Sequence, residues 1–382
     1  MLSLLKESNL LQKLPVTLCA VTLFVVSSSA WSASFTIADG VFVTSQQTLS
    51  TGETGTINSG GGLTTSATAI YADDSSTITV LNSGAITTSG NNSIGIYSRD
   101  NSGTSTFTSS GTIRTTGEDS FGIFSYANGG AETLTNSGTI TTTGYQSSGI
   151  QSQSNSGTET ITNSGTITTS GSLSGYGIYS VSNSGTSTIL NSDTITTSGN
   201  HGYGVYSYLN SDTVNFTNSD TITTSGASGY GIYSNQNSGT STFTNSGTIS
   251  TTGASGHGFY SQSNSGTETL TNSGTIRVTG SSAVGIKIGG AQTINNSGTI
   301  SASGDATKAI EATGDFDNTL NLLSGSTITG TIDLGGGTDT INISGTQNIN
   351  GCATAACMSS SLFTNAEVIN IASDVEGVVV SS

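Results

Sequence analysis

The stretch Asn163-Ser164-Gly165-Thr166-Ile167-Thr168-Thr169 is a phrase that this chain repeats. It stands complete at Asn136–Thr142, and at Asn191–Thr197 with Asp193 in place of the glycine. Followed along the chain, its isoleucines are Ile86, Ile113, Ile140, Ile167, Ile195, Ile222, Ile249, Ile276 and Ile300, at intervals of 27, 27, 27, 28, 27, 27, 27 and 24. A second series lies in Gly-Ile-Tyr-Ser and runs Ile96, Ile123, Ile150, Ile178, Val205, Ile232, Phe259, Ile286 and Ile310. A third runs Val80, Phe107, Leu134, Ile161, Ile189, Phe216, Phe243, Leu270 and Ile294. Each 27-residue unit thus carries three short segments with one dominant apolar residue between threonines or serines, and Gly and Asn mark the corners.

Thr-Ile-Thr is period-two patterning, which buries every second side chain of a strand. Frequent glycine, β-branched residues and the lack of a 3.6-residue spacing argue against helices. Three strands per unit, each stacked on its counterpart in the next unit, predict an all-β solenoid. The expected form is a parallel β-helix of triangular section with about 10–11 coils, and crossover sterics favour a right-handed path. The departures from 27 fall in corners: the insertion in Ser170–Gly175 and the deletion in Gly289-Gly290-Ala291. Asn136, Asn163, Asn191, Asn218, Asn245, Asn272 and Asn296 share one corner, where stacked amides bond to one another.

Composition alone leaves order in question. Among 382 residues, 52 are glycine, 32% are hydrophobic and 8% are charged, a thin basis for a globular core. The register answers that question, because a disordered chain has no reason to hold three apolar lines in step over nine units. The one proline, Pro15, precedes the repeats, as expected if every strand donates to both neighbours.

The N-terminus reads as an export signal: Lys6 and Lys13, an apolar run from Leu14 to Val26, then Ser28-Ser29-Ala30, with cleavage expected at about residue 30–33. The apolar run is short for a membrane anchor. Removing Lys6, Lys13 and Glu7 with the leader leaves five basic against 22 acidic residues, a charge of −17. That balance excludes nucleic acid as a partner. The exported chain keeps Cys352 and Cys357, which in an oxidising compartment read as a disulfide closing a small loop, a metal site being the other reading.

Three features bear on function. Tyr179, Tyr206, Tyr233 and Tyr260 follow the inward residue of Gly-Ile-Tyr-Ser and should point outward, with Tyr71, Tyr97 and Phe124 extending the row and Tyr176, Tyr203 and Tyr230 forming a second. Such a row suits stacking on a sugar or anchoring a protein, or it stabilises itself as a stack. Asp193 and Asp220 replace the corner glycine in adjacent coils and are candidate calcium ligands or solvated turn residues. The Thr166/Thr168, Thr194/Thr196 and Thr221/Thr223 array resembles an ice-binding face, but Arg114 and Arg277 interrupt it. Catalysis is not expected, and no cofactor with it. Enzymatic β-helices cluster acids with Lys, Arg or His, whereas Arg99, Arg114, Arg277, Lys287 and Lys308 are scattered.

With the leader, the tandem Asn-Ser-Gly-Thr-Ile units and the proline-free coils, residues 31–382 resemble the passenger of a bacterial autotransporter (type V secretion). The tail Leu334-Gly335-Gly336-Gly337-Thr338-Asp339-Thr340-Ile341-Asn342, then Thr364-Asn365-Ala366-Glu367-Val368-Ile369, is similar to the late part of such passengers. The resemblance implies an exported Gram-negative protein, surface-exposed or shed, adhesin-like or a structural stalk. Its expected partner is a host or cell-surface glycan or protein, and self-association is compatible with a rod. The family's C-terminal barrel has no counterpart before Ser382, so the expectation is that the sequence is truncated, that the passenger uses another exporter, or that it stays in the periplasm. The rival from another class is a β-helical glycan-active lyase or hydrolase. The expected division is a signal peptide at 1–33, an N-terminal cap at 34–56, β-helix repeats at 57–332 and a C-terminal end with the cysteine loop at 333–382.

Overall fold

In a computed structural model, the chain is described over residues 33–73, 76–349 and 363–372. Most of the expected leader and the Cys352/Cys357 loop lie outside these residues. The described chain is a parallel β-solenoid with three sheets and no helix, as the repeat predicts. Each sheet takes every third strand. The first sheet has 14 strands, from Phe35–Ile37 to Val368–Ile371. The second has 13, from Phe42–Val43 to Asn348–Ile349, and the third 13, from Gln47–Leu49 to Phe363–Thr364. At ~4.8 Å per coil the ladder is about 60 Å long.

Register follows the three apolar lines. Ile167 pairs with Ile140 and Ile195 in the second sheet, Ile178 with Ile150 and Val205 in the third, and Ile189 with Ile161 and Phe216 in the first. All of these side chains are buried in one continuous core that runs the length of the rod. A full burial of an aliphatic side chain is worth ~1.5–3 kcal/mol, so a core one residue deep per sheet suffices when it is repeated in every coil.

The two ends extend the ladder beyond what the repeated phrase covers. Residues 34–56, expected as a cap, already contribute Phe35–Ile37, Phe42–Val43 and Gln47–Leu49 to the three sheets. Beyond 333, Thr340–Ile343 pairs with Val368–Ile371, joining the two tail motifs. The coils from Phe35 to Gly55 and from Thr319 to Thr340 are shorter, and the end coils turn through left-handed glycines such as Gly52, Gly325 and Gly345. In the central coils the left-handed positions carry other residues, among them Ala127, Ser154, Ser182, Leu209, Gln236 and Ser263.

Two asparagine files hold the corners. In the first, each Nδ2 donates to the Oδ1 one coil on: Asn163 to Asn191 at 2.8 Å, Asn191 to Asn218 at 2.7 Å. In the second, each asparagine backbone N–H donates to the next Oδ1, as from Asn128 to Asn155 and from Asn155 to Asn183, both at 2.8 Å. Buried amides paired in this way satisfy polar groups that would otherwise destabilise the interior.

Candidate functional site

The tyrosines form the most distinctive surface feature. Tyr179, Tyr206, Tyr233 and Tyr260 occupy one outward register position of the third sheet. Their rings stack with centroids 4.9, 4.8 and 5.1 Å apart. At the preceding corner Tyr176, Tyr203, Tyr230 and His257 form a parallel stack, at 5.1, 4.8 and 5.0 Å. The two rows meet edge to face, for example Tyr203 against Tyr206 at 5.3 Å and 82°. The coil spacing produces this geometry, because a ladder repeat of ~4.8 Å suits ring stacking.

The rings point outward as expected, yet they cover one another. Tyr206 and Tyr233 are each only 8% exposed and Tyr203 9%, while Tyr176, Tyr179, Tyr230 and Tyr260 are half-buried. The stack faces are therefore used within the protein, and edges and hydroxyls are what the surface offers. Gln151 occupies the register position before Tyr179, and Lys287 Nζ lies 5.4 Å from the centre of the Tyr260 ring. Burial raises the phenol pKa throughout the row and pushes Tyr206 up to about 12. His257, in the corner before Phe259, is buried, and its Nδ1 accepts from Val284 N–H at 3.0 Å. Burial first, and the Lys287 charge second, lower it to about 3, so it is a neutral member of the stack.

Asp193 and Asp220 act locally as corner caps. Thr166 N–H bonds back to Gly138 O at 2.9 Å, whereas Thr194 N–H turns to Asp193 Oδ1 at 2.6 Å. Asp220 Oδ1 accepts from Thr221 Oγ1 at 3.0 Å. Among the described residues no three His, Cys, Asp or Glu side chains converge on a point that could hold a metal. Arg99 pairs with Asp73 and Asp100, and both Lys287 and Lys308 reach Glu311. Arg114 and Arg277 stand exposed on the second sheet among the outward threonines, at opposite ends of the flat face. The three-residue shortening at Gly289–Ala291 leaves a cleft of about 330 Å³ lined by Ser265, Thr267, Gln292, Asp317 and Thr319.

Sequence reading passed over the interior acids. Glu132, Glu159 and Glu268 open first-sheet strands and are 4%, 2% and 2% exposed. Period-two patterning signals their placement: if Leu134 points inward, so does Glu132. They face the second asparagine file. Asn128 Nδ2 donates to Glu132 Oε2 at 3.0 Å, and Ser261 Oγ donates to Glu268 Oε2 at 2.9 Å. Desolvation raises all three, Glu159 to about 8 with help from the Glu132 charge, and Glu268 to about 7.

Residues 23–216 and 123–330 match the third pectate lyase-like domain of BigA. The chain belongs to that family. The two BigA-type matches overlap over 123–216, as a periodic domain allows on a periodic chain. The chain matches no curated protein and no solved structure. Membership in the BigA domain family agrees with the three-sheet solenoid. The stacked tyrosines and the interior acids are features of this chain's own residues.

Proposed function

We propose that the protein is an exported, non-enzymatic β-helical rod of the autotransporter-passenger kind, working at the cell surface as an adhesin-like element or stalk. The observation that carries this reading is the unbroken three-sheet ladder from Phe35 to Ile371, apolar inside and threonine-, serine- and asparagine-rich outside. Such a body holds its length without a globular core and presents long polar faces. The BigA-type domain match and the leader-like N-terminus support export and surface display. The pairing of Arg99, Lys287 and Lys308 with carboxylates supports a non-catalytic role, since those cations are engaged on the rod surface. An outer-membrane translocator would carry the rod across the outer membrane; without one it would remain periplasmic.

The partner is a cell-surface glycan or protein, met at the edges of the tyrosine rows where Tyr179 and Tyr260 remain half-buried. The test uses purified protein from residue 34 on a glycan array and in a polysaccharide-degradation assay, together with protease accessibility on intact cells. Surface cleavage with binding, or surface cleavage alone, fits an adhesin or a stalk respectively. Release of oligosaccharide product would overturn the non-enzymatic reading. Protection of the chain in intact cells would overturn surface display.

A further inference from the structure

Glu132 and Glu159 are direct register partners in adjacent coils of the first sheet, ~4.8 Å apart along the ladder. Both are buried and hold the same pose. Oε2 of each accepts from the serine hydroxyl seven residues upstream, Ser125 and Ser152. Oε1 of each is buried without a hydrogen-bond partner. No counter-charge meets them. Serines and an asparagine face the pair, Ser98 and Asn128 beside Glu132 and Ser187 beside Glu159. The second sheet turns isoleucines into the core. Arg99, on the outer face of the third sheet, pairs with Asp73 and Asp100, and Arg114 is exposed on the outer face of the second. Among the described residues, the titratable group that faces each acid is therefore the other acid.

The same inward position is held by Ser105 and Ser187 in the flanking coils and by Val214 one coil further on. Val214 is fully buried there, so packing at this position does not call for an acid. What the two glutamates add is titration. As neutral acids they sit in a polar, uncharged corner. As carboxylates they would combine loss of water with like-charge repulsion one strand spacing apart. Glu268 stands at the same position with Ser241 before it and Gln292 after it, and so carries the first cost without the second.

From this geometry we infer that Glu132 and Glu159 form a proton latch: the coils between Ser125 and Asn163 close with both carboxyls neutral, and this stretch of the rod loosens when its surroundings withdraw the protons. In an opened coil each glutamate meets water and ionises in the ordinary carboxylate range, so opening releases up to two protons. The latch is fully set in acid. As pH rises above that range, each proton released on opening raises the opening equilibrium about tenfold per pH unit, until the closed form ionises as well. Burial moves both acids upward, and the Glu132 charge adds to it at Glu159, which is the direction a latch of this kind requires. The rod thereby carries a joint at fixed coils, next to coils whose serine or valine at the same position does not titrate.

The test is amide hydrogen exchange on the chain from residue 34, read by mass spectrometry between about pH 6 and pH 8 and corrected for the intrinsic pH dependence of exchange. The expected result is an opening equilibrium for Ser125–Asn136 and Ser152–Asn163 that rises at least about tenfold per pH unit, while that of Ser207–Asn218, the segment of Val214, changes less than about twofold. The gradient should vanish in Glu132→Gln/Glu159→Gln. If that variant fails to fold, Glu132→Ser/Glu159→Ser, which copies Ser105 and Ser187 at the same position, replaces it. A corrected equilibrium that does not change with pH, a gradient that survives in the variant, or an equal rise in Ser207–Asn218 would each overturn the latch.

Discussion

Tyr203 and Tyr230, one coil apart, stack with ring centroids 4.8 Å apart and planes 2° from parallel. Tyr206 lies edge-on to Tyr203 and is itself sandwiched between Tyr179 and Tyr233. Removing such a ring takes away packing on both faces. Tyr206→Ala should therefore lower stability by about 3 kcal/mol, near the lower end for buried aromatic truncations. Tyr206→Phe, which keeps the ring, should stay within about 1 kcal/mol of the parent. Urea unfolding of the two variants checks this. A Tyr206→Ala protein as stable as the parent would mean that the stack contributes nothing to the fold and exists for a partner alone.

The glycines of Gly-Ile-Tyr are set by close approach. A Cβ at Gly231 would stand 2.2 Å from Ile249 Cγ2 and 2.5 Å from Gly258 O in the next coil. Neither the core isoleucine nor the ladder backbone can withdraw, so Gly231→Ala should cost about 3 kcal/mol, the upper range for overpacking. At Gly129 the nearest atom to a new Cβ is Ser156 Oγ at 3.8 Å, and Gly129→Ala should change stability by no more than about 1 kcal/mol. Paired thermal melts decide it, with equal effects at the two sites as the contrary outcome.

The three core lines through Ile167, Ile178 and Ile189 were legible because each repeats in step and alternates with polar residues. The first asparagine file was legible for the same reason. The second, through Asn155 and Asn183, uses the same Asn-Ser-Gly wording but was obscured by the more regular one. Coverage of Tyr206 was not legible, because it arises from two rows that are three residues apart in sequence and lean together only once the corner forms. The end coils are harder to read because their turns abandon the repeated phrase for left-handed glycines such as Gly52 and Gly345. The corner role of Asp193 depends on a 2.6 Å bond to Thr194 N–H, a matter of turn geometry that spacing does not encode.

Leu209 adopts φ of 55° at a position that recurs in every central coil, and its side chain is 44% exposed. A left-handed conformation costs a residue with a Cβ about 1–2 kcal/mol, more for a β-branched one. Glycine escapes that strain but loses about 0.5–1 kcal/mol through the greater freedom of its unfolded chain. Leu209→Gly should therefore be neutral or stabilising by up to about 1 kcal/mol, while Leu209→Val should destabilise by at least about 1 kcal/mol. Denaturation midpoints of the two variants should fall on opposite sides of the parent or at least differ by that margin.

Glu268 makes stability depend on pH in a direction opposite to that of a salt-bridged carboxylate. Burial raises it from 4.5 to about 7 in the folded state, so folding favours its protonated form. The stabilisation is fully present below the unfolded pKa of about 4.5 and is lost as pH rises through about 7. A shift of that size corresponds to on the order of 3 kcal/mol between pH 4 and pH 9. Gln292 already occupies the equivalent place in the next coil, so Glu268→Gln should fold and should flatten this part of the profile. Melting temperatures of parent and variant across pH 4–9, measured in chelator, should diverge with rising pH, the variant becoming the more stable above pH 7. A constant difference between the two curves would mean that Glu268 titrates alike in the folded and unfolded chain, and that the serine and asparagine donors around it fully replace the water it loses.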